Sequence, residues 1–425
     1  MSEIRESEVG NDGTIEPEIG SGIAPPSILA FSPSFFADYT AGQINAAVGG
    51  NKTATFTASR SSSNPASYVD TTGVIRYTTT SDVPRFVGGW YDKNGFIRER
   101  GVLIESAATN IIPNPDTVAA WTASGCSVSA GVITAPDGTP SGMDRIDVTL
   151  ARGVLSRVFT VTANTWYCFS FHAAPGSISQ GVAAAYRNDT GVLLASDSYV
   201  LPAGFSRHFL LFKTPVGVTS VRVVILDNAS AHAVGSFYAW GVQLTAGIGC
   251  SSYIPGALTR NRDVLRYPFA GNSIASAGAV YASFRTMSDF NDGASLLIVF
   301  VQSVFGSYGL GGSLDPMLGY GSFSQVSFNF KVNSEYPSTI SNRFKKHGCG
   351  YAFSNNPASG RGVEEYYNAG IERARAADRW TTIAPVDIYV GMMDVGSQSF
   401  LIKKVALFAS QKTAAEMLQI HNALF

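Results

Sequence analysis

Trp166-Tyr-Cys-Phe-Ser-Phe171 alternates along its length with the two-residue period of a β-strand. Successive side chains of a strand point to opposite faces. One face is therefore Trp166, Cys168 and Ser170, and the other is Tyr167, Phe169 and Phe171. The second set makes the better core, because it stacks three aromatic rings on one side. Similar runs surround it. Segments 128–134, 144–150, 155–161, 181–187, 205–213, 220–226 and 236–244 read as strands, with no helical periodicity between them. Strands at such short intervals predict a β-sandwich of jelly-roll type over residues 106–266.

On the N-terminal side, residues 25–105 read as a small β-rich connecting domain. Tyr68 to Tyr77 is strand, turn at Gly73, strand, and Trp90-Tyr-Asp-Lys-Asn-Gly95-Phe is a hairpin with an Asn-Gly turn. On the C-terminal side, residues 267–425 hold further strands at 280–285, 295–304, 325–332, 387–392 and 399–407. One helix closes the chain. Thr413 and Glu416 are spaced as a capping box, and Met417, Ile420 and Leu424 form its apolar stripe. Residues 1–24 carry six acidic side chains against Arg5 and cannot bury a core, so they read as a flexible arm. The expected fold is all-β: tandem sandwiches with a flexible N-terminal arm and a short C-terminal helix.

Composition narrows the function. Only 14% of the 425 residues are charged, 12% are aromatic, and the net charge is -1. A chain so apolar is not disordered throughout. It lacks the basic surplus of a nucleic-acid binder, and no apolar run has the length of a membrane span. The acidic start is the reverse of a secretory signal, which predicts synthesis and folding in a cytoplasm. Cys126, Cys168, Cys250 and Cys349 are far apart, so no zinc knuckle is expected. Three pairings are open to them, and four free, buried thiols are the expectation.

Catalytic patterns are poor. Glycoside hydrolysis needs two facing carboxylates. Glu364 and Glu365 are adjacent and would point opposite ways in a strand; a solvated loop is the plainer reading. Asp144 and Asp147 do not share a strand face. The five histidines form no HxH or HExxH pair, and neither GxSxG nor a P-loop occurs. Asp289, Asn291 and Asp292 offer oxygen ligands in a loop and form a weak Ca²⁺ candidate, with an Asx turn as the default. No enzyme activity, metal or cofactor is expected.

Three stretches together resemble bacteriophage virion proteins of the tail-fibre and head-spike type, with carbohydrate-binding-module-like sandwiches. The first joins Phe56-Thr-Ala-Ser-Arg60, Tyr68-Val-Asp-Thr-Thr-Gly-Val-Ile75 and Val83-Pro-Arg-Phe86. The second runs from Gly101-Val-Leu-Ile-Glu105 through Asn110 to Trp121. The third joins Phe237-Tyr-Ala-Trp240-Gly-Val-Gln-Leu244, Ser252-Tyr-Ile-Pro255 and Thr259-Arg260-Asn-Arg-Asp263. That family often has Glu just after the Trp-Gly-x-Gln-Leu run, where this chain has Thr245. Residues 267–425 are similar, in architecture alone, to a concanavalin A-like (laminin G-like) domain.

The resemblance implies a virion component made in the host cytoplasm. Its arm would dock on other virion proteins, its sandwiches would meet host-surface polysaccharide, and a homotrimer would be its usual state. No long heptad run is present, so a trimer would form through β-domain faces or the arm. Sugars need flat aromatic platforms and directed hydrogen bonds. Trp90 and Tyr91, at a hairpin edge, and Trp380, after a charged run, are the candidates for exposed, glycan-binding rings. Trp121 and Trp240 read as core, and Arg260 and Asp263 as an ion pair tying the linker to the sandwich. Two alternatives remain: a purely architectural decoration protein, and a virion-borne depolymerase.

Overall fold

A computed structural model describes residues 26–45, 53–227, 233–247, 249–268, 277–286, 299–303, 346–354, 363–367, 370–375, 385–390, 399–410 and 412–424. The arm at 1–24 and the segment 325–332 lie outside the described residues. Strands dominate, and among the described residues the longest helix is the C-terminal one, Ala414–Leu424. The chain is all-β, as its alternation predicts.

The middle of the chain forms two antiparallel five-stranded sheets. In the first, the order is Ser206–Lys213, Trp166–Pro175, Gly235–Ala246, Met143–Val148, Cys126–Ile133. In the second, it is Leu193–Val200, Gln180–Arg187, Ser220–Leu226, Val154–Thr160, Thr122–Ser124. Tyr167, Phe169 and Phe171 point between the sheets and are buried with Phe159, Val221, Val223, Ile225 and Phe237. Trp121 joins that core, its ring 6.1 Å from Phe159 and 6.4 Å from Phe169. Sequence alternation missed the edge strand Leu193–Val200. Its Leu-Leu-Ala-Ser-Asp-Ser-Tyr-Val is mostly exposed, so no clean apolar face marks it.

The flanking segments are not two separate units. Gly95–Glu105 pairs with Ser399–Phe408, setting Glu105 opposite Ser399 and Ile104 opposite Phe400. Phe35–Asp38 pairs with Ser399–Phe408 from another position. In a second sheet, Thr55–Thr57 and Pro385–Val390 flank Val264–Pro268. Described strands from up to residue 105 and after residue 263 therefore share sheets, here called the carrier, and the sandwich is inserted between them. The boundary expected near residue 105 is a point of insertion. Alternation identifies strands but is silent on partners, because a strand edge accepts hydrogen bonds from any segment of matching length. At the neck, where the chain enters and leaves the sandwich, Ala108–Thr109 pairs with Thr259–Arg260.

Two local features follow their sequence signals closely. Thr413 and Glu416 exchange bonds at the helix start, with Thr413 N donating to Glu416 Oε2 at 2.8 Å and Glu416 N to Thr413 Oγ1 at 3.3 Å. The helix buries Met417, Ile420 and Leu424 against Tyr281 and Phe408. In the Trp90 hairpin, Asp92 pairs with Gly95, so the turn residues are Lys93 and Asn94 rather than Asn94 and Gly95.

The expectation of four free thiols is corrected. Cys168 and Cys250 form a disulfide with a Cα–Cα separation of 5.6 Å, while Cys126 is free. Aromatic residues take the inward positions of the Trp166 strand, which leaves Cys168 facing outward. The return segment carrying Cys250 crosses that outer face and meets it.

Candidate functional site

Trp90 and Tyr91, expected at an exposed edge, are buried, at 3% and 7% exposure. Their hairpin packs into the joint between carrier and sandwich. Trp90 lies with Val87, Leu103 and Leu401, and the Arg285 guanidinium sits 4.8 Å from its ring centre. Tyr91 donates to the Gly73 carbonyl at 2.6 Å and abuts His172 and Phe205. Neither ring is available to a glycan. Trp380, Asp289, Asn291 and Asp292 lie outside the described residues. Glu364 and Glu365 are on the strand Val363–Tyr367 rather than in a loop.

Trp240 is buried outside the sandwich's own core. It faces outward from the first sheet and packs against Tyr253, with ring centres 4.6 Å apart, and against Ile75 of the carrier. The next residue, Gly241, has φ +64°, and a Cβ there would stand 2.9 Å from His172 Nδ1. Glycine meets both demands, since it tolerates the left-handed region and lets the strands close around the register shift beside His172.

Arg260 and Asp263 are both buried, but they do not pair with each other. Arg260 pairs with Glu105 at 2.8 Å, and Asp263 with Arg60 at 2.6 Å and with Arg85. Arg85 also reaches Glu105 at 2.5 Å. The cluster ties three stretches of the carrier to the neck. Burial would raise the Glu105 carboxyl, but the charges of Arg260 and Arg85 and the hydroxyls of Ser252 and Ser399 together outweigh it and hold the group at about 2. Such a cluster is a fastener: its polar atoms face one another, not solvent.

The two outer faces of the sandwich differ. That of the first sheet is covered around Cys168, His172, Arg207 and Trp240 by the carrier, the return segment and the disulfide, while Arg145 and Asp147 on a strand further along stay partly exposed. That of the second sheet faces solvent among the described residues. Register places Ser196, Ala184, Val224 and Ser156 in one row across it, and Leu193, Tyr186, Arg222 and Val158 in the next. Ala184 and Val224 are 0% exposed although they point outward, so neighbouring side chains close over them and they form an apolar floor. Tyr186 is half-buried above that floor. Its hydroxyl donates to Asp227 Oδ2 at 2.8 Å, and the Arg222 guanidinium lies 4.9 Å from its ring centre. Burial, then the hydrogen bond and charge of Asp227, push the phenol up to about 12 against the opposing charge of Arg222, so it stays a neutral donor.

This arrangement holds an aromatic ring in one position, with a guanidinium beside it and the hydroxyls of Ser196 and Ser198 exposed nearby. The exposed part of the ring suits the C–H face of a sugar, the covered apolar floor holds that ring in place, and the guanidinium and hydroxyls suit the sugar's oxygens. Sequence reading missed Tyr186 and Arg222. The available signal was their even spacing from Ala184 and Val224 on strands already recognised. It had no force without knowing which face stays open.

No group of three metal-ligating side chains occurs among the described residues. No protein-family model matches the chain, and no curated protein matches it. Among solved structures, a CBM4 module is 16% identical, over 31% of this chain and 88% of the module, with a TM-score of 0.25. The enzymatically active domain of tailspike protein 4 from bacteriophage CBA120 is 14% identical, over 32% of this chain and 21% of that one, with a TM-score of 0.26. The tandem CBM22-1–CBM22-2 domain of Paenibacillus barcinonensis Xyn10C is 10% identical, over 72% and 99%, with a TM-score of 0.26. At such scores the architecture rests on the strands and registers of this chain itself.

Proposed function

We propose that the chain is a structural and adhesion protein of a phage particle, and that it binds host-surface glycan without cleaving it. The observation that carries the binding is the open face of the second sheet, where Tyr186 is braced by Asp227 and Arg222 over an apolar floor. The virion setting rests on the sequence resemblance across about residues 50–265. A disulfide between Cys168 and Cys250 suits a protein that works outside the reducing cytoplasm where it is made. In this reading the arm docks on other virion proteins and three copies associate.

A second reading has one observation in its favour. Leu193 and Val158, at the two ends of the Tyr186 row, are 47% exposed each. Exposed aliphatic side chains on a sheet face also suit packing against a neighbouring subunit, as in an architectural decoration protein. Titration of host surface polysaccharide into the purified full chain separates the readings. Saturable binding that Tyr186→Ala weakens about tenfold or more, with the polysaccharide unshortened, is the expected result. No binding favours the architectural reading, and shortening would replace adhesion by depolymerisation.

A further inference from the structure

Counting charges at the joint between carrier and sandwich shows an imbalance. Arg60, Arg85 and Arg260 face two carboxylates, Glu105 and Asp263, and all five are buried. A fourth buried guanidinium, Arg207, adjoins them. Its Nη2 donates to Ser170 Oγ at 3.1 Å and to the Ser251 carbonyl at 2.9 Å. The next residue, Ser252, accepts from both Arg85 and Arg260 through its hydroxyl. Four guanidiniums therefore share two carboxylates. Arg207 makes no ion pair among the described residues, and its buried Nε has no acceptor. Glu105 attracts it only from beyond ion-pair distance. Two further basic side chains, His172 and His208, add no positive charge: burial holds the first well below its ordinary value and the second at about 4.

An uncompensated guanidinium away from water is costly, and a carboxylate or a bound anion is the usual remedy. Among the described residues no carboxylate takes that place. A cavity does: a space of about 30 Å³ lies against Arg207, with Trp90, Tyr91, His172, Ser252 and Tyr253 among its walls. That is room for one or two water-sized particles. Phosphate and sulfate, with five heavy atoms each, exceed that room, and the largely aromatic walls bring no second negative group.

We propose that this cavity is an internal site for one small monovalent anion of the halide class, chloride in ordinary media, held by Arg207. The anion lowers the surplus of positive charge at the joint and so strengthens the seating of the sandwich on the carrier. It takes no part in glycan binding at the opposite face.

The test compares thermal unfolding of the full chain in sodium gluconate, chloride and bromide at constant ionic strength. The expected result is a midpoint that rises by several degrees and saturates with chloride or bromide. Arg207→Gln keeps a neutral donor and should lose that dependence while folding as judged by circular dichroism. Should the variant not fold, bromide-soaked crystals of the unaltered protein decide: an anomalous peak within hydrogen-bond distance of the Arg207 guanidinium supports the site. Equal midpoints in all three salts, or a water with no bromide peak beside Arg207, overturns it.

Discussion

The two outer faces of the sandwich come from sheets of the same size and the same alternating pattern, yet one is an internal joint and the other a surface. The first sheet turns Cys168, His172, Arg207 and Trp240 outward, and all four are buried by the carrier and the return segment. The second turns Tyr186, Arg222, Ser196 and Val158 outward, and these stay at least partly exposed. Alternation separates inside from outside for one sandwich. Only the rest of the chain decides whether an outside becomes a second inside. An aromatic ring on an outward position is therefore a binding candidate only after its neighbours are known. Trp240 and Tyr186 both face outward, and only Tyr186 meets solvent.

If the joint is a true core, damage there should cost as much as damage in any core. Trp240→Ala is expected to destabilise the protein by about 3–5 kcal/mol in denaturant unfolding. A loss under about 1 kcal/mol would mean that the carrier does not bury that face in solution. Glu105→Gln strips two buried guanidiniums of a charge partner and should cost about 3–5 kcal/mol. The same residue sets a pH dependence. Its carboxyl is held at about 2, below its unfolded value, so its contribution is complete above the ordinary glutamate range of about 4.3 and is lost as pH falls towards 2. Acid titration of stability should be flatter over that window in Glu105→Gln than in the unaltered chain.

The disulfide sharpens the comparison at a smaller scale. Cys168 and Cys250 are 82 residues apart, and Cys250→Ser should lower stability by about 2–4 kcal/mol under oxidising conditions. Under reducing conditions the variant and the parent should unfold at similar denaturant concentrations, apart from the hydroxyl left in an apolar setting. The smallest effect on stability is expected at the open face. Tyr186→Ala should cost about 1–2 kcal/mol, because it uncovers Ala184 and Val224 and takes a hydrogen bond from buried Asp227, while weakening glycan binding about tenfold or more, as expected when about 1.4 kcal/mol of ring contact is removed. A large loss of stability with binding intact would break the distinction between the faces.

Much of the sandwich was legible in advance. Eight of its ten strands, the inward set Tyr167, Phe169 and Phe171, and the capped C-terminal helix follow from periodicity and local spacing. The edge strand Leu193–Val200 escaped because its exposed residues carry no apolar alternation. The site was less legible. Trp90 and Tyr91 sit beside a hairpin turn, where exposure is the ordinary outcome, but their strand lies where the carrier meets the sandwich. Arg260 and Asp263 were recognised as ionic. Their partners, Glu105, Arg60 and Arg85, come from distant strands that no spacing rule connects to them.

The all-β class, the face of each long strand and the position of the helix are encoded locally in the order of residues. These depend on side-chain order within a few residues, where geometry is local and repeats with the period of the strand or helix. Tertiary structure alone decided the insertion of the sandwich into a carrier built from both ends of the chain. It also decided the Cys168–Cys250 pair, the partners of the buried charges and the choice of which sheet stays open. Those outcomes depend on which segments meet across tens to hundreds of residues. That choice is set by the joint burial of surfaces and charges, a property no single stretch of sequence carries.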